Sequence, residues 1–239
     1  QLNLARRYLW GALVAALIPL VVMAALYDRY SANLVDTLVT NRVEADVEAT
    51  AVRMSSFIAV QINKLESIVD LSDTSDFFLR AQDQKIPPLL KDLLLLETES
   101  PDVYAIELAT KDGDLITQVP SSRALDDREG ISEAPFIQHG NTEIIGPILP
   151  KNGRPGWFLI RMPVLHNEGT IGIVSLRMRL ASLTELGSQL SKSGVYRPQI
   201  VVFDRVRMSV VGTRDPLEES LARSRQFLPG WRIHLVDDG

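Results

Sequence analysis

The sequence predicts an α+β chain. An N-terminal transmembrane helix continues into a long helix that packs on an antiparallel five-stranded sheet, and a small C-terminal α/β module follows. Three observations predict this. Leu9 to Leu26 is eighteen residues without a charge. Ser31 to Leu71 contains neither glycine nor proline, so nothing in the backbone chemistry interrupts a helix. Beyond residue 100, several short runs alternate apolar and polar residues, which is the period of half-buried strands.

The uncharged segment has the dimensions of a membrane span. At about 1.5 Å per residue it covers roughly 27 Å, close to the ~30 Å hydrocarbon core of a bilayer. Tyr8, Trp10 and Tyr27 stand where interfacial aromatics anchor, and Arg6 with Arg7 places the N-terminus in the cytoplasm. Residues 28–239 are then periplasmic or extracellular, with the anchor in the inner (plasma) membrane. Pro19 lies inside the span, where a membrane helix tolerates it. A cleaved signal peptide shares this grammar, with Val22-Met23-Ala24 as a possible cleavage site. The apolar run, however, exceeds the usual 7–15 residues of a signal core and continues as helix, which favours a retained anchor. A second span is expected shortly after Gly239.

Composition narrows the partners. The chain has 25 Lys+Arg against 30 Asp+Glu, a net charge of −5, so it carries no overall basic excess to bind nucleic acid. With no cysteine, disulfides, thiolate catalysis and cysteine-bound metals are excluded. His139, His166 and His234 are the only histidines and lack metal-ligand spacing. No metal and no cofactor are expected.

The long helix carries an apolar stripe: Val35, Val39, Val43, Val47, Ala51, Met54, Ile58, Ile62, Leu65 and Val69. From Val47 the spacing repeats 4, 3, 4, an eleven-residue period that keeps the seam nearly straight. The half from Ile58 to Val69 is expected to dock on the chain's own domain. The half at Val39, Val43, Val47 and Ala51 is expected to pair with a second copy, giving a homodimer.

Residues 72–194 read as one domain. Short helices are expected near Ser75 to Ala81 and from Leu89 to Glu97, after Pro87-Pro88. Asp102 to Ala109 and Leu115 to Val119 form a hairpin about Lys111-Asp112-Gly113-Asp114. A polar stretch, Ser121 to Gly130, leads to a helix around Ser132 to His139. Three strands follow: Glu143 to Leu149, Trp157 to Leu165 and Thr170 to Leu180, the last two joined by His166-Asn167-Glu168-Gly169. An exit helix spans Ala181 to Ser191. Residues 195–239 read as a hairpin around Asp204 to Val206, a helix from Pro216 to Ser224 and a final strand, WRIHLVD. They either form a separate membrane-proximal module or complete the first sheet.

The segments ISEAPFIQHGNTEIIGPIL, WFLIRMPV and HNEGTIGIVSLRMRLASLTEL, in this order of elements, resemble the Cache family of PAS-like extracytoplasmic sensor domains over about residues 31–190. Gly169 and Gly172 match the family's turn-and-strand glycines. The resemblance implies the sensing region of a bacterial receptor, foremost a two-component histidine kinase; a chemoreceptor, a cyclic-dinucleotide enzyme or a non-sensing envelope module are the alternatives. Signalling would follow from a ligand favouring one of two arrangements of domain and helix.

Catalysis finds little support in the residues. Asp126-Asp127 reads as solvated loop charge, and His139 with Glu143 as a helix-terminal cation and its neighbour. There is no nucleophile elbow and no phosphate-binding glycine loop.

For binding, the resemblance implies that amino-acid-binding members use an arginine in the loop helix and an aspartate on the last strand. Here Ala134 and Arg177 occupy those positions, with Phe136 at the following aromatic one. Both ends of that motif are lost. Strand alternation instead puts Trp157, Leu159 and Arg161 on one face, and Ser175, Arg177 and Arg179 on one face of the next strand. If those faces line a cavity, Arg161 and Arg177 would clamp an anionic small molecule, with Tyr104, His139 and Trp157 as walls. Alternatively the arginines face solvent, or pair with Glu107 or Glu143 across the sheet.

Overall fold

The computed structural model describes residues 2–80, 87–121, 131, 134–149, 155–188, 196–203, 208–211 and 224–237. The chain divides into two compact units, Gln1–Ala45 and Asp46–Gly239. Helix α1 (Leu2–Val69) supplies the described residues of the first and opens the second.

In the first unit, none of the described side chains from Trp10 onward is buried, and Leu20, Met23 and Tyr27 are each about 70% exposed. A helix apolar all round and uncovered by protein suits a lipid surrounding. Among the described residues, α1 is the one helix long and apolar enough to cross a membrane.

In the second unit, the α1 stripe is buried from Val47 to Leu65 (Val47, Ala51, Met54, Ile58, Ile62 and Leu65), and at its end Ile68 is buried where Val69 was expected, Val69 being half-buried. This corrects the expected division of the stripe. Val47 is 2% exposed and Ala51 4%, so both are spent inside their own chain and are closed to a dimer seam, while Val39 is 45% exposed and Val43 half-buried. The eleven-residue period explains the early docking. A seam that stays straight from Val47 presents the same face to one domain throughout.

Two short helices follow, α2 (Ser72–Leu79) and α3 (Pro87–Glu99). Proline at the first position of α3 has no intrahelical bond to lose. Lys64 Nζ donates to Ser100 Oγ at 3.0 Å, fixing α1 to the entry of the sheet.

The sheet is antiparallel and has six strands, in the order β2-β1-β6-β5-β4-β3. Its strands are β1 (Val103–Ala109), β2 (Leu115–Val119), β3 (Phe136–His139), β4 (Thr142–Ile148), β5 (Trp157–His166) and β6 (Gly169–Arg179). The sixth strand is β3, where a helix was expected through His139. Phe136-Ile137-Gln138-His139 is short enough to read either way, and Gly140, with φ 61°, closes a two-residue hairpin that pairs His139 with Thr142. Tertiary pairing decides what periodicity over four residues cannot.

One face of this sheet is apolar and sealed. Ile106, Leu108, Phe158, Ile160, Val174, Leu176 and Met178 are each at most 1% exposed. Gly172 belongs to this face because the ring of Phe78 on α2 lies against it, and a β-carbon there would come within 2.2 Å of that ring. Helix α4 (Leu180–Ser188) then leaves the sheet.

The C-terminal residues form a second antiparallel sheet, ordered β8-β7-β10-β9. It comprises β7 (Tyr196–Phe203), β8 (Met208–Val211), β9 (Arg225–Leu228) and β10 (Trp231–Asp237). It is thus a sheet of its own and does not extend the first. Trp231, fully buried, sets its ring 5.7 Å from that of Phe158 and joins the two sheets, and Arg225 on β9 pairs with Glu48 of α1 at 2.9 Å. The expected turn at Asp204 to Val206, most of the expected helix from Pro216, and the acidic pair Asp126-Asp127 lie outside the described residues.

Candidate functional site

The other face of the first sheet is polar at its centre. Register places Glu107 of β1 opposite Ser175 of β6, Ser175 opposite Arg161 of β5, and Arg161 opposite Glu143 of β4. Four adjacent strands thus contribute one row, Glu-Ser-Arg-Glu, on one face. An isolated charge in that position would be strongly disfavoured, and the chain resolves this by pairing. Arg177 Nε donates to Glu107 Oε1 at 2.7 Å, with both side chains at most 4% exposed, and Arg161 Nε donates to Glu143 Oε2 in a half-exposed pair. The Arg177 guanidinium also lies 4.1 Å from the centre of the Trp157 ring, a cation–π contact.

Above this row is an open cavity of 260 Å³, lined by Glu107, Ser175, Arg161, Leu159, Ile173 and Ile131, with Ala109 and Gly113 at its side. Beside it, Ile145, Trp157 and Leu159 form a small apolar cluster on which Ile131, Ala134 and Ile148 pack.

The five residues expected to bind are therefore not brought together. Arg161 lines the cavity. Arg177 lies next to it, buried beneath Trp157, and its Nη2 is buried without a hydrogen-bond partner. Trp157 is 7% exposed within the apolar cluster. Tyr104 is half-buried at a register shift in β1, with the Arg179 guanidinium 6.0 Å from its ring. His139 is exposed at the turn end of the edge strand β3, away from the cavity, and is not a helix-terminal cation. Phe136 is 64% exposed on the same strand. Glu143 pairs with Arg161 across the sheet, one of the alternatives the sequence left open for that arginine.

Glu107 is the cavity residue that the strand pattern pointed to least directly. It is the one charge inside the otherwise apolar run VYAIELA, at a position alternation assigns to an interior face. A buried charge in such a strand is the signal that marks it.

No protein-family profile and no curated protein sequence matches the chain. Solved structures do. The ligand-binding domain of the Pseudomonas fluorescens chemoreceptor CtaA, in complex with L-serine, matches with a TM-score of 0.51 and 15% identity, over 70% of this chain and 70% of that one. The extracellular domain of vpHK1S-Z8, assigned as a histidine kinase, matches with a TM-score of 0.51 and 16% identity, over 69% of this chain and 65% of that one. At such identities what is shared is the fold. The chain shares its fold with these two domains, in agreement with the Cache resemblance of its sequence.

Proposed function

We propose that this chain is the extracytoplasmic sensing region of a receptor held in the inner membrane by the apolar start of α1, with a histidine kinase as its output. The observation that carries the reading is the sheet's division of labour: one face sealed and apolar, the other bearing an open cavity with Glu107, Ser175 and Arg161 exposed to it. A purely structural module has no use for a partly polar hollow at the centre of its sheet. A chemoreceptor output is the second reading, favoured by the same fold in CtaA. The ligand is a small molecule that offers a carboxylate or phosphate to Arg161, whose planar fork suits either.

An alkaline-phosphatase fusion after Asp114 is expected to be active in cells. An inactive fusion, together with an active cytoplasmic reporter at the same site, would reverse the topology and remove the sensing role.

The receptor is proposed to act as a homodimer, through α1 side chains its own chain leaves uncovered. In the second unit these include Val52 and Val60, 56% and 50% exposed; in the first, Val35 and Val39. Cysteine scanning meets no native cysteine. Disulfide crosslinking is expected at Val52 and Val60, which are eight residues apart and share a helix face, and absent at Val47 and Ala51. A flat profile would mean a monomer.

A further inference from the structure

The cavity leaves hydrogen-bonding capacity of both signs unused. Glu107 is 3% exposed, and only its Oε1 accepts a hydrogen bond, so Oε2 has no partner among the described residues. Arg161 reaches Glu143 through Nε, which leaves both Nη nitrogens without a described partner. Ser175, 4% exposed, stands between them with no described partner for its hydroxyl. Glu107 and Ser175, nearly buried, and the half-exposed Arg161 line one cavity in a row, so a molecule held there meets an acceptor, a hydroxyl and a cation in turn.

From this row we infer that the cavity takes a dipolar molecule whose cationic end sits on Glu107 and whose anionic end sits on Arg161, with the charges held well apart. The inference rests on the sensing role proposed above and adds the ligand's charge pattern. The spacing follows from the sheet. Glu107 and Arg161 belong to strands two apart, roughly 10 Å between backbones at about 4.8 Å per strand. An α-amino acid carries both charges on one carbon and can meet Glu107 or Arg161, not both. An ω-amino acid spans the row, with Ser175 beneath its chain. The apolar side chains of Leu159, Ile131 and Ile173 at the cavity wall suit its methylenes.

The test compares four probes by thermal shift and calorimetry on the full chain in detergent: 5-aminopentanoate, alanine, glutarate and cadaverine. 5-Aminopentanoate is expected to bind at least about 10-fold tighter than each of the others, the ratio a single charge-assisted contact supports. Arg161→Gln, at a half-exposed site, should weaken 5-aminopentanoate about 10-fold and leave cadaverine unchanged. Tighter binding of alanine would overturn the spacing, and tighter binding of glutarate the opposite charges. If none of the four binds, the inference falls. Should a wider panel of carboxylates and phosphates then bind through Arg161, the sensing role survives it; if that panel is also silent, both fall.

Discussion

Replacing Gly146 with alanine is expected to lower stability by about 3 kcal/mol or more, a fall in melting temperature of roughly 6–12 °C for a chain this size. Two effects add. Gly146 has φ 126°, a conformation that side-chain-bearing residues rarely adopt. A β-carbon there would also lie 3.0 Å from Cβ of Phe158, 3.2 Å from its Cα and 3.3 Å from the Ile148 nitrogen. Two of those three atoms are backbone, so no rotamer change relieves the clash. Gly113, in the β1–β2 turn, is the control: its φ is 91°, but nothing stands within 4 Å of the added carbon. Gly113→Ala should therefore show the backbone effect alone, about 1–2 kcal/mol. Chemical denaturation of both variants decides. A Gly146→Ala variant no less stable than Gly113→Ala would show that β4 and β5 are not in such close contact.

Phe158 connects that prediction to the rest of the fold. It sits across from Gly146 on one side and edge-on to Trp231 on the other, so displacement there reaches the second sheet. Gly146 lies within the segment TEIIGPIL, part of what made the Cache resemblance legible, and Gly172, under Phe78, is another such residue. Both glycines have a steric cause in this structure.

The α+β class, the long helix and five of the six strands of the main sheet were legible because each rests on a period sustained over many residues or on a turn with defined chemistry. The Asp112-Gly113 turn is an example: Thr110 N–H donates to the Asp114 carbonyl at 2.7 Å, as a tight hairpin requires. Two of the four-residue strands were not legible. Phe136–His139 and Arg225–Leu228 are each too short to show a period, and each is a strand because a neighbour with a matching edge lies beside it. Which side of the α1 stripe faces the chain itself was also hidden, since a straight seam suits a domain and a second helix equally.

For the site, alternation placed Trp157, Leu159, Arg161, Ser175 and Arg177 on one face, and the register agrees. What alternation cannot give is the diagonal. Arg177 stands directly across from Ala105, yet its guanidinium reaches Glu107 two residues along the strand. Sequence alone left open whether these arginines face a ligand or a carboxylate. In the structure each meets a carboxylate, and Arg161 keeps donors to spare.

The buried pair yields the other large effect. Glu107→Gln is expected to destabilise the fold by about 3–5 kcal/mol, because it leaves the Arg177 guanidinium, already short of a partner at Nη2, buried and unpaired. Arg177→Met should do the same through the stranded carboxylate. Combining Glu107→Leu with Arg177→Met removes both charges, and the double variant is expected within about 1 kcal/mol of the parent, since a buried ion pair is close to neutral against apolar residues of similar volume. Methionine would retain a contact with the Trp157 ring. The half-exposed pair of Arg161 with Glu143 is the internal comparison, worth at most about 1 kcal/mol. A double-mutant cycle read by denaturation would show strong coupling at Glu107–Arg177 and weak coupling at Glu143–Arg161. Equal coupling at the two would mean that Arg177 is not shielded as its 3% exposure indicates. A stable double variant that no longer responds to 5-aminopentanoate would then separate the two roles of Glu107: the fold can dispense with its charge, and the cavity cannot.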